Sequence, residues 1–155
     1  MPANNPSGGG GWRGFRAEVC YRMVANTRLL QVKAGLPALR EAKGRIVFTS
    51  SGASVTGYPG WGLYGATKAA MNHLCLTLAG EEADVTSISI QPGLVNTEMQ
   101  REIREDHATT LPSHFHAKFT TAHKEGQLLR PEQPGHVMAK LVIDAPNSLS
   151  GKYLR

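Results

Sequence analysis

The stretch Gly44-Arg-Ile-Val-Phe-Thr-Ser50 constrains the fold of this chain more than any other part of it. Its Ile46-Val47-Phe48 run is short, β-branched and free of polar alternation. That pattern marks a strand buried on both faces of a parallel sheet. Parallel strands need a long crossover, usually a helix. After a Gly/Ser/Pro loop over residues 51–62, residues 63–82 supply one, with Leu63, Thr67, Ala70, Met71, Leu74 and Leu78 on a single stripe. Residues 84–90 read as a second strand, closed by the loop Gln91-Pro92-Gly93. Upstream, residues 18–40 read as a helix with Met23, Leu29, Leu30 and Leu36 among basic residues. Downstream, residues 98–105 and 113–124 read as polar helices. Residues 131–145 follow as a helix with Pro131 near its start and Val137, Met138, Leu141 and Val142 on a core face. Gly151-Lys-Tyr-Leu-Arg155 reads as a last short strand. The order predicts a parallel α/β unit, about half of a doubly wound sheet.

Composition narrows the function classes. The chain has 155 residues, suited to one domain, and 41% of them are hydrophobic, too many for a disordered chain. No apolar run approaches the roughly 18 residues of a membrane span. Its 2 cysteines, Cys20 and Cys75, stand far apart, so neither a disulfide framework nor a structural zinc site is expected, and a reducing, cytoplasmic setting fits. Residues 1–16 form a Gly/Pro-rich start, expected to be flexible and without the apolar core of a secretory signal. Gly8 to Gly11 follow nothing strand-like, so they do not qualify as a phosphate loop.

The net charge of +5 is concentrated at Arg13, Arg16, Arg22, Arg28, Lys33, Arg40, Lys43 and Arg45, opposed there only by Glu18 and Glu41. No aromatic-interleaved RNA motif accompanies them, so a solvated helix face is expected and a nucleic-acid partner is not. His114 and His116 stand roughly 200° apart on a helix, a poor chelate geometry, and no metal site is expected at these or at His107 and His123.

The chemistry converges on one crevice. Tyr64 and Lys68 stand one turn apart at the start of a helix and project from one face. Ser51 and the Pro92–Thr97 loop both leave the C-terminal ends of strands, where open α/β sheets bind ligands. A tyrosine with its pKa near 10 is a poor acid or base at neutral pH, and an ammonium one turn away favours its phenolate. A serine hydroxyl across the cleft can hold a carbonyl oxygen near the phenol. With a hydride donor, the trio can interconvert carbonyl and alcohol, tyrosine acting as general acid in reduction.

The segments Ile46-Val-Phe-Thr-Ser-Ser-Gly-Ala-Ser54, Tyr64-Gly-Ala-Thr-Lys-Ala-Ala70 and Gln91-Pro-Gly-Leu-Val-Asn-Thr-Glu-Met99 resemble the C-terminal half of a short-chain dehydrogenase/reductase. The loop after Ser50, Gly60-Trp61, Met71-Asn-His73 and Tyr153-Leu-Arg155 look most like the fungal branch near sepiapterin and benzil reductases. The resemblance implies a partial Rossmann-like doubly wound parallel sheet over residues 17–155, lacking the N-terminal βαβ units. It implies that Ser51 positions the substrate carbonyl, that Tyr64 is the catalytic acid/base, and that Lys68 lowers its pKa while contacting the nicotinamide ribose. Tyr64, Lys68, Pro92, Gly93, Val95 and Thr97 form the implied cofactor site, and NADP(H) is expected over NAD(H). Tyr58 and Trp61 are placed beside Ser51 as substrate-pocket candidates. Phe115 and Phe119, within the family's mobile lid segment, are lid packing or plain core.

The family's Thr-Gly-xxx-Gly-x-Gly loop, adenine-pocket aspartate and Asn-Asn-Ala-Gly segment do not occur in these residues. Asn26 is the nearest candidate for the family's catalytic asparagine, at an unsuitable spacing from Pro37. Two functions follow from the resemblance. One is an NAD(P)H-dependent oxidoreductase reducing a ketone or diketone, with a small-molecule carbonyl substrate and a possible homo-oligomer as its partners. The other is a truncated, catalytically idle fragment that cannot hold the dinucleotide and acts by associating with other subunits. In either, the strand at residues 45–49 is expected to present an unpaired edge.

Overall fold

The computed structural model describes residues 27–106, 108 and 111–155. The flexible start expected over 1–16, and Cys20, Met23, Asn26 and His107, lie outside the described residues. Helix α1 (Thr27–Glu41) leads into strand β1 (Arg45–Thr49), and a 3-10 turn (Gly52–Ser54) precedes helix α2 (Gly62–Glu81). Strand β2 (Thr86–Ile90), helices α3 (Glu98–Glu105), α4 (Ser113–Lys124) and α5 (Glu132–Asp144), and strand β3 (Tyr153–Leu154) follow. The strands form one parallel sheet in the order β1-β2-β3. Arg45 is in register with Thr86 and Thr49 with Ile90.

The sheet is covered on both faces, as parallel sheets require. Ile46 and Phe48 share one face of β1. They pack with Val32 of α1 and with Met71, Leu74, Cys75 and Leu78 of α2. The opposite face meets α5: Arg45 Nε donates to the Ala145 carbonyl at 2.9 Å, and Thr49 Oγ1 lies 3.8 Å from Met138 Sδ.

Three expectations of burial are corrected. Complete burial belongs to β2, all five residues of which are buried, whereas β1 pairs only with β2 among the described residues and leaves Arg45, Ile46 and Val47 half-buried. On α2 the buried line is Thr67, Met71, Cys75 and Leu78, which continues at spacings of three and four; Ala70, one residue off that line, is exposed. On α5, Met138 and Leu141 are half-buried, but Val137 and Val142 are 52% and 50% exposed, because the helix meets the sheet along a narrower face than its apolar residues span. On α1, Val32 is buried while Leu29 and Leu30 are exposed. Arg28, Lys33, Arg40 and Lys43 form an exposed basic surface, as expected.

The C-terminal turn of α1 is tied to the end of α2 by a two-point ion pair, Arg40 Nε to Glu82 Oε2 at 2.8 Å and Arg40 Nη2 to Glu82 Oε1 at 2.5 Å. The hydrogen bonds from Arg40 hold the Glu82 carboxyl below its usual range. A carboxyl depressed by folding stabilises the native state above its unfolded pKa and loses that contribution as pH falls through the folded one. Glu82→Gln is therefore expected to unfold at lower urea than the parent at pH 7. The gap should close as pH falls from about 5 toward 3, which paired urea titrations across that range would measure.

Candidate active site

Ser51, Tyr58, Trp61, Tyr64, Lys68, Pro92, Gly93, Val95 and Thr97 all line one cavity of about 710 Å³ at the C-terminal ends of β1 and β2. Gln91, Met99, Gln100, Lys118 and Met138 complete much of its wall, and none of these was picked out as a site residue from the sequence; Phe119, expected as lid packing or core, lines it too. The parallel register produces the convergence. The ladder continues one step past β1, with Ser50 N donating to the Ile90 carbonyl at 2.7 Å, so the two loops leave side by side.

Ser51 opens the 3-10 turn and its Oγ accepts the Ala53 N–H at 3.2 Å. That bond uses an oxygen lone pair and leaves the hydroxyl proton to be donated into the cavity. The first turn of α2 closes tightly on this loop. A Cβ built at Gly65 would stand 2.6 Å from the Ala53 carbonyl oxygen, so glycine beside Tyr64 permits the approach. Lys68, one turn further on, sends its Nζ to the Thr49 carbonyl at 2.8 Å and stands 5.6 Å from the centre of the Tyr64 ring. The trio is thus anchored on one strand end and one helix.

The opposite wall is the loop after β2. Gly93 adopts φ +88°, the left-handed region in which glycine is favoured, and turns the chain back over the strand end. Val95 then bridges Leu129, with Asn96 N on the Leu129 carbonyl and Leu129 N on the Leu94 carbonyl, both at 2.8 Å. Thr97, at the N-cap position of α3, makes no capping bond with its side chain; Thr97 Oγ1 lies 3.3 Å from the Val95 carbonyl.

Aromatic rings build another wall of the cavity. Trp61 stands edge-on to Tyr64 at 5.9 Å between centroids and lies 5.4 Å from Tyr58 and 5.5 Å from Phe119. Phe119 is both core and wall: it is 4% exposed, packs with Ile103 and Leu111, and faces the cavity. Phe115 packs edge-on against Tyr58 at 5.3 Å, and Lys118 Nζ donates to the Tyr58 hydroxyl at 3.1 Å. Tyr153 of β3 reaches in from 102 residues away, its hydroxyl 2.8 Å from Gln91 Oε1 and 3.0 Å from the Ser51 carbonyl. Nothing in the local pattern around Tyr153 signals that contact. Among the described residues, no three His, Cys, Asp or Glu side chains gather as a metal site, and no helix is long and apolar enough to cross a membrane.

An α/β sheet with a Ser/Tyr/Lys set and a Pro-Gly loop at its strand C-termini restricts the class of protein, and comparison with known proteins gives the family. The short chain dehydrogenase family model matches residues 16–108. The benzil reductase ((S)-benzoin forming) of Saccharomyces cerevisiae is 45% identical in an alignment 129 residues long that covers 77% of this chain and 48% of that protein. A sepiapterin reductase from Meriones unguiculatus is 36% identical over 84 residues, 54% of this chain and 31% of that one. The crystal structure of KRED1-Pglu enzyme superposes with a TM-score of 0.86 at 39% identity, covering 88% of this chain and 57% of that one. This chain belongs to the short-chain dehydrogenase/reductase family of oxidoreductases and shares their Rossmann-like architecture. It spans about half the length of the curated relatives it matches.

The Gly65 contact gives a direct test of the site's construction. Gly65→Ala must push the Ala53 backbone away and should cost about 1–3 kcal/mol of stability. Because that backbone belongs to the Ser51 turn, any carbonyl-reducing activity should fall together with the urea midpoint, measured on the same preparation.

Proposed function

We propose that this chain carries the catalytic machinery of an NAD(P)H-dependent oxidoreductase that reduces a ketone or diketone carbonyl to an alcohol. The observation that supports this most directly is the meeting of Ser51, Tyr64, Lys68 and the Pro92–Thr97 loop in one cavity with aromatic walls. The Ser51 hydroxyl donates a hydrogen bond to the substrate carbonyl, and the Tyr64 hydroxyl delivers the proton to the same oxygen. The Lys68 ammonium stabilises the phenolate left behind. Tyr58, Trp61 and Phe119 offer flat apolar contacts suited to an aryl ketone.

The same cavity suits the nicotinamide end of a dinucleotide. Ser50 Oγ and Gln100 Oε1, on residues 3% and 7% exposed, are buried there without hydrogen-bond partners among the described residues, and the hydroxyl of Thr97 lies in the same lining. Tyr64, Lys68, Pro92, Gly93, Val95 and Thr97 are the residues that would hold it, and the bound cofactor supplies the hydride. The expectation of NADP(H) over NAD(H) rests on the likeness of the motifs to the sepiapterin and benzil reductase branch. Calorimetric titration with each cofactor separates the two.

Tyr64→Phe removes the proton donor and leaves the ring. It should lower the rate of NADPH-dependent reduction of an aryl diketone such as benzil by about 10²–10⁴-fold. A variant as active as the parent would sink the proposal.

One observation favours a second reading, in which the chain works only in association. Among the described residues β1 has an unpaired edge, and Leu29, Leu30 and Leu76 expose apolar surface on α1 and α2 at 52%, 64% and 58%. Sedimentation of the purified chain tests it: a monomer that binds NADPH at micromolar concentration excludes this reading, and an oligomer supports it.

A further inference from the structure

Asn72 lies on the face of α2 that carries Tyr64 and Lys68, one turn beyond the lysine and two beyond the tyrosine. Its side-chain amide joins the middle of the sheet to the Ser51 turn. Ser89 Oγ, on β2, donates to Asn72 Oδ1 at 2.5 Å; Asn72 Nδ2 donates to Ser54 Oγ at 2.8 Å; and Ser54 Oγ donates to the Ser51 carbonyl at 2.6 Å.

The direction of this chain of bonds is forced. Ser54 spends its one proton on the Ser51 carbonyl and must therefore accept from Asn72, which turns Nδ2 toward Ser54 and Oδ1 toward Ser89. The Ser51 carbonyl also receives the Ser54 N–H at 3.0 Å, so both its lone pairs are filled and the Tyr153 proton goes to Gln91 Oε1. The anchor is rigid: Ser89 is 1% exposed and sits in the ladder between β1 and β3. Only a side chain with both an acceptor and an N–H donor can span these two hydroxyls. Aspartate has no donor, and alanine or leucine has neither.

We infer that Asn72 is a positioning residue, which acts through Ser54 to hold the Ser51 turn against Tyr64. The inference rests on the reading of Ser51 as the group that meets the substrate carbonyl. One helix face then does two jobs. Tyr64 and Lys68 serve the chemistry, and Asn72 fixes where the serine on the opposite side of the cleft stands.

Amide hydrogen exchange on the full chain tests this without requiring turnover. In Asn72→Ala, Asn72→Asp and Ser54→Ala, the amides of residues 53–56 should exchange about tenfold faster or more, while those of β2 keep the parent rate. Because both residues act through one chain of bonds, the double variant Asn72→Ala/Ser54→Ala should exchange no faster than the faster single variant. In turnover, Asn72→Ala should lower kcat about tenfold with the Kd for NADPH unchanged. Unchanged exchange at residues 53–56, acceleration spread equally over β2, or multiplicative effects in the double variant would each overturn the inference, as would a raised Kd with kcat intact. Should Asn72→Ala fail to fold, Ser54→Ala, which removes a single hydroxyl, decides by the same readout. A parent chain without turnover refutes the reading of the site, and the exchange pattern then still decides whether Asn72 holds the turn.

Discussion

The parallel pairing of β1 with β2 is the constraint on which everything else depends. Two strands running the same way place both C-terminal ends at one edge of the sheet, and the five-residue register brings Thr49 beside Ile90. Ser51 and Pro92 therefore begin their loops as neighbours although 41 positions separate them in the sequence. The crossover that parallel pairing demands is α2, which returns along one face of the sheet and starts its first turn above those same strand ends. Tyr64 reaches the cavity because it stands on that first turn, Lys68 because it follows one turn later on the same face, and Gly65 lets the turn come down onto the Ala53 carbonyl.

The cavity separates its polar and apolar duties. Its floor is made of strand ends and their loops, with Lys68 on the Thr49 carbonyl, Ser51 on its own turn and Tyr153 on Gln91. Its walls are rings and apolar side chains from the loop before α2 and from α3 and α4, with Trp61 in contact with Tyr58, Tyr64 and Phe119. Hydrogen bonds in a partly desolvated floor are stronger than in water, and each group left unpaired there costs more. The Ser89–Asn72–Ser54 chain meets that demand, because each hydroxyl proton in it has a defined acceptor.

Much of this was legible in the sequence for identifiable reasons. The extents of α3 and α4 follow from local patterns, β2 begins two residues later than expected, and α2 begins and ends within one residue of its expected span. The nine site residues named from motifs all line the cavity, because each motif lies at a strand end whose position the α/β order dictates. Burial was less legible. Ile46-Val47-Phe48 has the composition of a strand covered on both sides, but at the expected unpaired edge Ile46 and Val47 are only half-buried among the described residues. Val137 and Val142 have the spacing of a core face, but the curvature and position of α5 on the sheet leave them in solvent. The Tyr153–Gln91 contact and the Asn72 bridge had no sequence signal, since each joins side chains whose proximity exists only after the sheet has formed.

The sequence by itself determined the element order, the parallel class of the sheet, the family and the identity of the chemical groups at the strand ends. These rest on periodicity, turn chemistry and local spacing, which act within a few residues of the chain. Tertiary structure alone decided how those groups are held: Ser51 by Ser54 and Asn72, Lys68 by the Thr49 carbonyl, and helices α3 and α4 by Trp61 and Phe119. Such contacts depend on distances of about 3 Å between side chains far apart in sequence. Strand register, helix rotation and the approach of one backbone to another set those distances, and no local pattern encodes them.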